Sequence, residues 1–250
     1  MELQKTPDFA FLDTRALFPD YITRQEKERT MANLNNGQWL QTIRDELYTA
    51  VLSDVLDSEG LRGQVCSSGF FPITSARRIV GRAFPVLTAE TCTLPARPYD
   101  KLIEALDTIE QDEVFMTNSL SDRAAFWGEL LSTACKMRGA VGAIIDGWAR
   151  DVERIEATEF AVIARGCRPV DSLGRFEVLE YRTPIVCGGV MVNPGDLVMA
   201  DPDGIVVVPR DIETDIVNRA LEKVRGENLV RDGIRSGQSL RTLFNTYGVL

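Results

Sequence analysis

The chain has 250 residues, 28 Lys plus Arg, 37 Asp plus Glu, and no histidine. Lack of histidine excludes a Ser-His-Asp triad, a Cys-His pair, an HExxH zinc site and any imidazole acid or base, leaving carboxylates, Arg, Lys, Cys, Tyr, backbone amides or a hard metal held by oxygen. A net charge of −9 with 44% apolar residues describes an ordinary globular chain and argues against a nucleic-acid surface or adhesion to anionic membranes.

In chain order, residues 1–36 are polar, mixed in charge and weakly periodic, and are expected to form a partly helical extension ahead of a single domain over 37–250. The start, MELQKTPDFAF, lacks the basic-then-apolar order of a signal peptide. No apolar run approaches the ~18 residues of a membrane span. From Trp39 the spacing Ile43, Leu47, Val51, Leu52, Val55, Leu56 predicts a pair of helices ending near Gly60. A loop is expected at 69–72, one or two strand pieces over 75–89, a helix over 99–109 and a strand over 112–117. A helix follows over 127–138, then a short strand over 140–145 that Asp146-Gly147 should break. A short helix over 151–157 and a strand over 160–164 complete an α/β alternation. Beyond it, 184–192, 196–200 and 205–208 read as β segments. Pro202-Asp203-Gly204 turns the last two into a hairpin. A long helix over 212–235 and a short one after Gln238 end the chain.

Five cysteines (Cys66, Cys92, Cys135, Cys167, Cys187) are odd in number and never CxxC, which suggests reduced thiols in a cytoplasmic protein. All five are expected to be small buried hydrophobes. No Gly-Lys dipeptide exists, so a P-loop is excluded, and Gly188-Gly189 is no GxGxxG fingerprint. The five lysines lie outside apolar strands, which disfavours a Schiff base.

The segment WGELLSTACKMRGAVGAIIDGWARD, Trp127 to Asp151, places a helix start after Gly128 and Arg150-Asp151 past a strand. Helix-start amides attract a carboxylate, an arginine adds a bidentate fork, and Asp151 offers a hard oxygen ligand. Glu129 is the nearest upstream acid and could shuttle a proton. Spacing alone carries little weight. Arg-Asp occurs four times (44, 150, 210, 231), and one acid at the same upstream distance is expected by chance about half the time. A solvated helix start capped by Asp151 is the competing interpretation.

The order GELL, IIDGWARD, PIVCGGVMVNPGD and ADPDGIVVVPRD resembles the RraA-like family, and within it the class II pyruvate aldolases that cleave 4-hydroxy-4-methyl-2-oxoglutarate and 4-carboxy-4-hydroxy-2-oxoadipate. The resemblance covers Thr49 to the C-terminus and is strongest over 127–210. It implies an αββα sandwich similar to swivelling phosphohistidine domains, and a homotrimer or homohexamer with sites between subunits. It implies that Asp151 binds Mg²⁺ or Mn²⁺ directly, that Glu129 reaches the metal through water, and that Arg150 stabilises a pyruvate enolate. The backbone of Gly128, Glu129, Leu130 and Leu131 would hold the substrate carboxylate. A glutamate from a neighbouring subunit's C-terminal helix would complete the site, with Glu227 the best match and Glu222 the alternative. Gly188-Gly189 and Asp196 are expected to serve turns.

The implied activity is retro-aldol cleavage of a 4-hydroxy-2-oxo acid to pyruvate and a second oxo acid, with oxaloacetate decarboxylation on the side. The alternatives are a non-catalytic RraA-type regulator of a ribonuclease or helicase, or a metal-dependent lyase or hydrolase on another oxo acid. RraA regulators lack the aspartate after the arginine; its presence here favours the enzyme.

Overall fold

The computed structural model describes residues 36–249. The expected extension over 1–36 lies, except for Asn36, outside the described residues. The chain divides after Trp39, and the architecture below belongs to the part from Leu40 onward.

Helices α1 (Asn36–Glu46) and α2 (Thr49–Ser58) open the described chain as the apolar spacing predicts. At the start of α2, the backbone N–H and hydroxyl of Thr49 donate to Asp201 at 2.8 and 2.6 Å. A distant carboxylate thereby supplies the acceptor that free helix-start amides need.

The strands are β1 (Phe71–Pro72), β2 (Ile79–Glu90), β3 (Glu113–Thr117), β4 (Ala125–Trp127), β5 (Gly142–Ala149), β6 (Val162–Cys167), β7 (Phe176–Tyr181), β8 (Ile185–Cys187), β9 (Val190–Val192), β10 (Leu197–Asp201) and β11 (Gly204–Val208). Nine of them form one mixed sheet in the order β1-β6-β5-β3-β2-β10-β11, with β4 also on β5 and β7 also on β2. β2, β3, β5 and β6 run parallel, and β10, β11, β7 and β1 join antiparallel. β8 and β9 form a separate hairpin. The remaining helices are α3 (Asp100–Thr108), α4 (Glu129–Met137), α5 (Val152–Ala157), α6 (Glu213–Arg235) and α7 (Leu240–Tyr247). This is the expected mixed α/β fold. Among the described residues no helix is long and apolar enough to cross a membrane.

Both sheet faces are covered, so the central strands read as unbroken apolar runs. Phe115 of β3 and Ala143 and Ile145 of β5 enter one core with α3 and α4. Their neighbours Val114, Met116 and Ile144 point the other way, into a core closed by the β8–β9 hairpin. That switch is the two-residue period of a strand. In the first core Trp127 lies 4.7 Å from Phe115, ring centre to ring centre, and its indole N–H donates to Ser132 at 2.8 Å. The hydrogen bond satisfies the indole's polar end in a fully buried position.

Several expected boundaries move. β5 runs through Asp146-Gly147, with a register shift between Ile145 and Trp148 in its pairing with β6. Asp146 is buried without penalty because it accepts from Arg165 Nε at 2.6 Å and from the Gly188 amide at 2.7 Å. β2 is one strand of 12 residues. β10 pairs with its first part and β7 with its last, and Pro85 falls between the two partners, where no donor is missed. Phe71–Pro72, expected as loop, pairs with β6; β4 and β7 arise where no strand was expected. Gly188 and Gly189 both adopt positive φ between β8 and β9, and Asp196 accepts the amides of Asn193 and Arg210; all three serve turns. Cys66, Cys135 and Cys187 are buried, but Cys92 and Cys167 are exposed, contrary to the expectation for all five.

Candidate functional site

β4 and β5 are parallel neighbours, with Trp127 opposite Ala149. Their chains leave the sheet side by side, tied by the Arg150 amide donating to the Trp127 carbonyl at 2.9 Å. One exit leads through Gly128 into α4, and the other through Arg150-Asp151 into α5. Residues that are distant in sequence thus meet at the ends of two parallel strands, where α/β folds place ligands.

Gly128 makes the approach possible. A Cβ there would sit 2.8 Å from Asp151 Oδ2 and 3.5 Å from the Arg150 side chain. Asp151 adopts a left-handed backbone, φ 61° and ψ 35°, which Asp tolerates better than most residues. It stands at the N-cap position of α5, yet its side chain caps nothing there. Its Oδ2 instead accepts the Glu129 amide of α4 at 3.3 Å. The carboxylate is therefore aimed away from its own helix and toward the cavity, against the simple cap interpretation. No hydrogen bond among the described residues engages Asp151 Oδ1.

Arg150 spans two carboxylates. Its Nε lies 3.8 Å from Asp151 Oδ2 and its Nη2 3.1 Å from Asp171 Oδ1. Asp171 in turn accepts the Tyr99 hydroxyl at 2.7 Å. Burial, then the Asp171 hydrogen bond, pushes the Tyr99 hydroxyl up to about 12, so it stays a donor across the physiological range. Burial would raise the pKa of Asp171, but the Tyr99 hydroxyl, the Leu173 amide and Arg150 outweigh it and hold the carboxyl below its usual range. Because the folded value is depressed, Asp171 stabilises the fold fully above the unfolded pKa of ~3.9 and loses that contribution as pH falls through the folded value. Urea unfolding of wild type and Asp171→Asn over a pH series should show a stability gap that shrinks only below about pH 4. A gap that stayed constant into acid would contradict this.

The residues enclose a cavity of about 300 Å³, within the range of small-ligand sites. Gly128, Glu129, Leu130, Leu131, Arg150 and Asp151, all expected from sequence, line it together. So do Tyr99 and Asp171, which sequence reasoning missed. Glu129 is half-buried, and its Oε1 accepts the Thr133 hydroxyl at 2.9 Å. Glu227 is not in this cavity. It lies on α6, where the Tyr48 hydroxyl donates to it beside Val230, Arg231 and Ile234. Glu222 shares that helix. Burial and Glu227 push Tyr48 up to about 12.

The lining holds three carboxylates (Glu129, Asp151, Asp171) and one guanidinium, and Arg150 pairs with Asp151 and Asp171. That negative surplus and the unengaged Asp151 oxygen fit a hard cation. No group of three or more His, Cys, Asp or Glu side chains is disposed around a metal among the described residues. Carboxylate oxygens completed by water or substrate oxygens are donors of the kind that Mg²⁺ and Mn²⁺ take.

Residues 49–207 match the RraA-like family, described as Aldolase/RraA. The chain belongs to the RraA-like family. It is 26% identical over 202 residues to Protein DlpA of Legionella pneumophila, an alignment covering 80% of this chain and 32% of that protein. The chain thus spans about a third of that relative. It is 28% identical over 176 residues to a Halalkalibacterium halodurans protein named "Putative 4-hydroxy-4-methyl-2-oxoglutarate aldolase", covering 70% of this chain and 79% of the relative. Among solved structures, Streptomyces coelicolor RraAS2, titled an unusual member of the RNase ES inhibitor RraA protein family, superposes with a TM-score of 0.70. The identity is 25%, with 79% of this chain and 97% of the other covered.

Proposed function

We propose that this protein is a divalent-metal-dependent lyase that cleaves a 4-hydroxy-2-oxo acid by retro-aldol reaction, releasing pyruvate and a second oxo compound. The observation that carries this reading is the convergence of Asp151, Arg150 and the start of α4 on one cavity. Membership of a family that includes aldolase-named relatives supports it.

Asp151, with water, would hold Mg²⁺ or Mn²⁺, whose chemistry when bound is polarisation of the substrate's C2 carbonyl. The first-turn amides of Leu130 and Leu131 lack intrahelical acceptors by position and receive the C1 carboxylate at the positive end of α4. Arg150, held from behind by Asp171, presents its charge to the developing enolate oxygen. Glu129 accepts the C4 hydroxyl proton through water. The C3–C4 bond then breaks, C4 leaves as a carbonyl, the electron pair passes into the C2–C3 enolate, and protonation at C3 gives pyruvate. Oxaloacetate loses CO₂ through the same enolate and serves as a second substrate. The protein acts in the cytoplasm as a homotrimer or homohexamer, in which Glu227 completes a neighbouring subunit's site.

Pyruvate release from oxaloacetate with Mg²⁺ or Mn²⁺, with and without EDTA, tests the reading. Metal-dependent turnover abolished by EDTA is expected. Absence of turnover with either metal would overturn it in favour of a non-catalytic RraA-type regulator. Gly128→Ala should lower kcat/KM by about 10- to 100-fold, because the added methyl displaces the carboxylate that orients the site. Wild-type kinetics in that variant would contradict the role given to Asp151.

A further inference from the structure

We propose that Tyr99 is a positioning residue for the reaction, acting through Asp171 to set the orientation of the Arg150 guanidinium. This rests on the aldolase reading above and deepens it at the same site.

Tyr99 stands just before α3 with φ 63° and ψ 5°. That left-handed backbone is uncommon for a bulky aromatic residue and persists where the surroundings impose it. Its side chain makes no capping bond to α3. The hydroxyl reaches instead to the loop between β6 and β7 and donates to Asp171 Oδ2 at 2.7 Å.

Asp171 is a fixed platform for that contact. Its loop closes through the Arg175 and Phe176 amides, which donate to the Ser172 carbonyl at 2.8 and 2.9 Å. Arg175 Nη1 donates to the Asp171 carbonyl at 2.9 Å. The two carboxylate oxygens have separate tasks. Oδ2 accepts the Tyr99 hydroxyl and, at 3.3 Å, the Leu173 amide. Oδ1 faces Arg150 Nη2 at 3.1 Å. Two donors on Oδ2 stop the carboxylate from turning about its Cβ–Cγ bond, so Oδ1 stays on Arg150. The neighbouring arginines do not compete for it: Arg168 pairs with Asp122 at 3.6 Å, and Arg175 donates to carbonyls.

Without the Tyr99 hydroxyl, the long Leu173 bond alone holds Oδ2. The carboxylate is then free to rotate and take Arg150 through both oxygens, the fork that guanidinium and carboxylate favour. That fork draws the guanidinium toward Asp171 and away from the enolate oxygen. Tyr99 thus acts on Arg150 and not on the reacting atoms. A small misplacement of a group that works in the transition state lowers kcat more than it raises KM.

The test is a double-mutant cycle on the full-length protein with Mg²⁺ and oxaloacetate, read above the rate with Mg²⁺ alone. Tyr99→Phe keeps the ring and removes the hydroxyl. It should lower kcat about tenfold and change KM less than about twofold. In an Arg150→Ala background the same substitution should cost less than about twofold, because the group it positions is gone. A second tenfold loss in that background, or an unchanged kcat in the single variant, would overturn the proposal and leave the aldolase reading standing. If Tyr99→Phe does not fold, Asp171→Asn carries the same cycle with the same expected and opposing results. If the wild type releases no pyruvate, the aldolase reading fails, and calorimetry with oxalate decides the positioning role. Oxalate binding weakened about threefold or more by Tyr99→Phe, but not weakened further by it in Arg150→Ala, supports that role. Equal binding by Tyr99→Phe, or no binding by the wild type, overturns it.

Discussion

Arg150→Ala is expected to lower kcat/KM for pyruvate release by about 10²- to 10³-fold, the cost of removing one preorganised stabiliser of transition-state charge. Arg150 leaves β5 with its amide tied to Trp127 and its guanidinium held between Asp151 and Asp171. Preorganisation of this kind means that no side-chain entropy is lost at the moment of reaction. The guanidinium is more than a third exposed, so its ion pairs add little to folding. Thermal unfolding should move little while turnover collapses. Arg150→Lys should recover only part of the loss, because an ammonium cannot bridge two carboxylates with the planar fork. Full activity of either variant in a steady-state pyruvate assay would remove Arg150 from the mechanism.

Asp151→Asn should be the more damaging change, lowering metal-dependent turnover at least about 10³-fold. That is the rate equivalent of the several kcal/mol that carbonyl polarisation supplies. Asparagine tolerates the left-handed backbone that Asp151 adopts, so the substitution removes charge without remodelling the turn. Its position is 40% exposed, and stability should change by no more than about 0.5 kcal/mol. The paired measurements are pyruvate release and Mn²⁺ binding. Both should fall together, and a variant that lost activity while binding Mn²⁺ as before would move the metal elsewhere.

Much of this was legible in the sequence where one local rule decides the structure. The apolar runs of β3 and β5, the ADPDGI hairpin and the helical spacing of α1 and α2 depend on period and turn chemistry alone. The sequence singles out Glu129, Arg150 and Asp151 as candidates because strand ends and helix starts carry ligands and because neighbouring motifs resemble a family, and the three line one cavity. Tyr99 and Asp171 were not found. They lie just before α3 and just past β6, and only the packing of those segments brings them to Arg150. Asp171 sits in CRPVDSLG, which carries no spacing signal of its own. Asp146-Gly147 misled for a related reason. A turn signal was overridden by Arg165 and Gly188, which satisfy the aspartate inside a continuing strand. Tertiary partners, invisible in a single segment, decided each of these cases.

The most direct test is a crystal structure with Mn²⁺ and oxalate, a planar mimic of the pyruvate enolate. Anomalous scattering should place the metal on Asp151, with one oxalate carboxylate at the amides of Gly128 to Leu131 and Arg150 in contact with the other. A metal bound away from Asp151, or oxalate bound outside this cavity, would contradict the account.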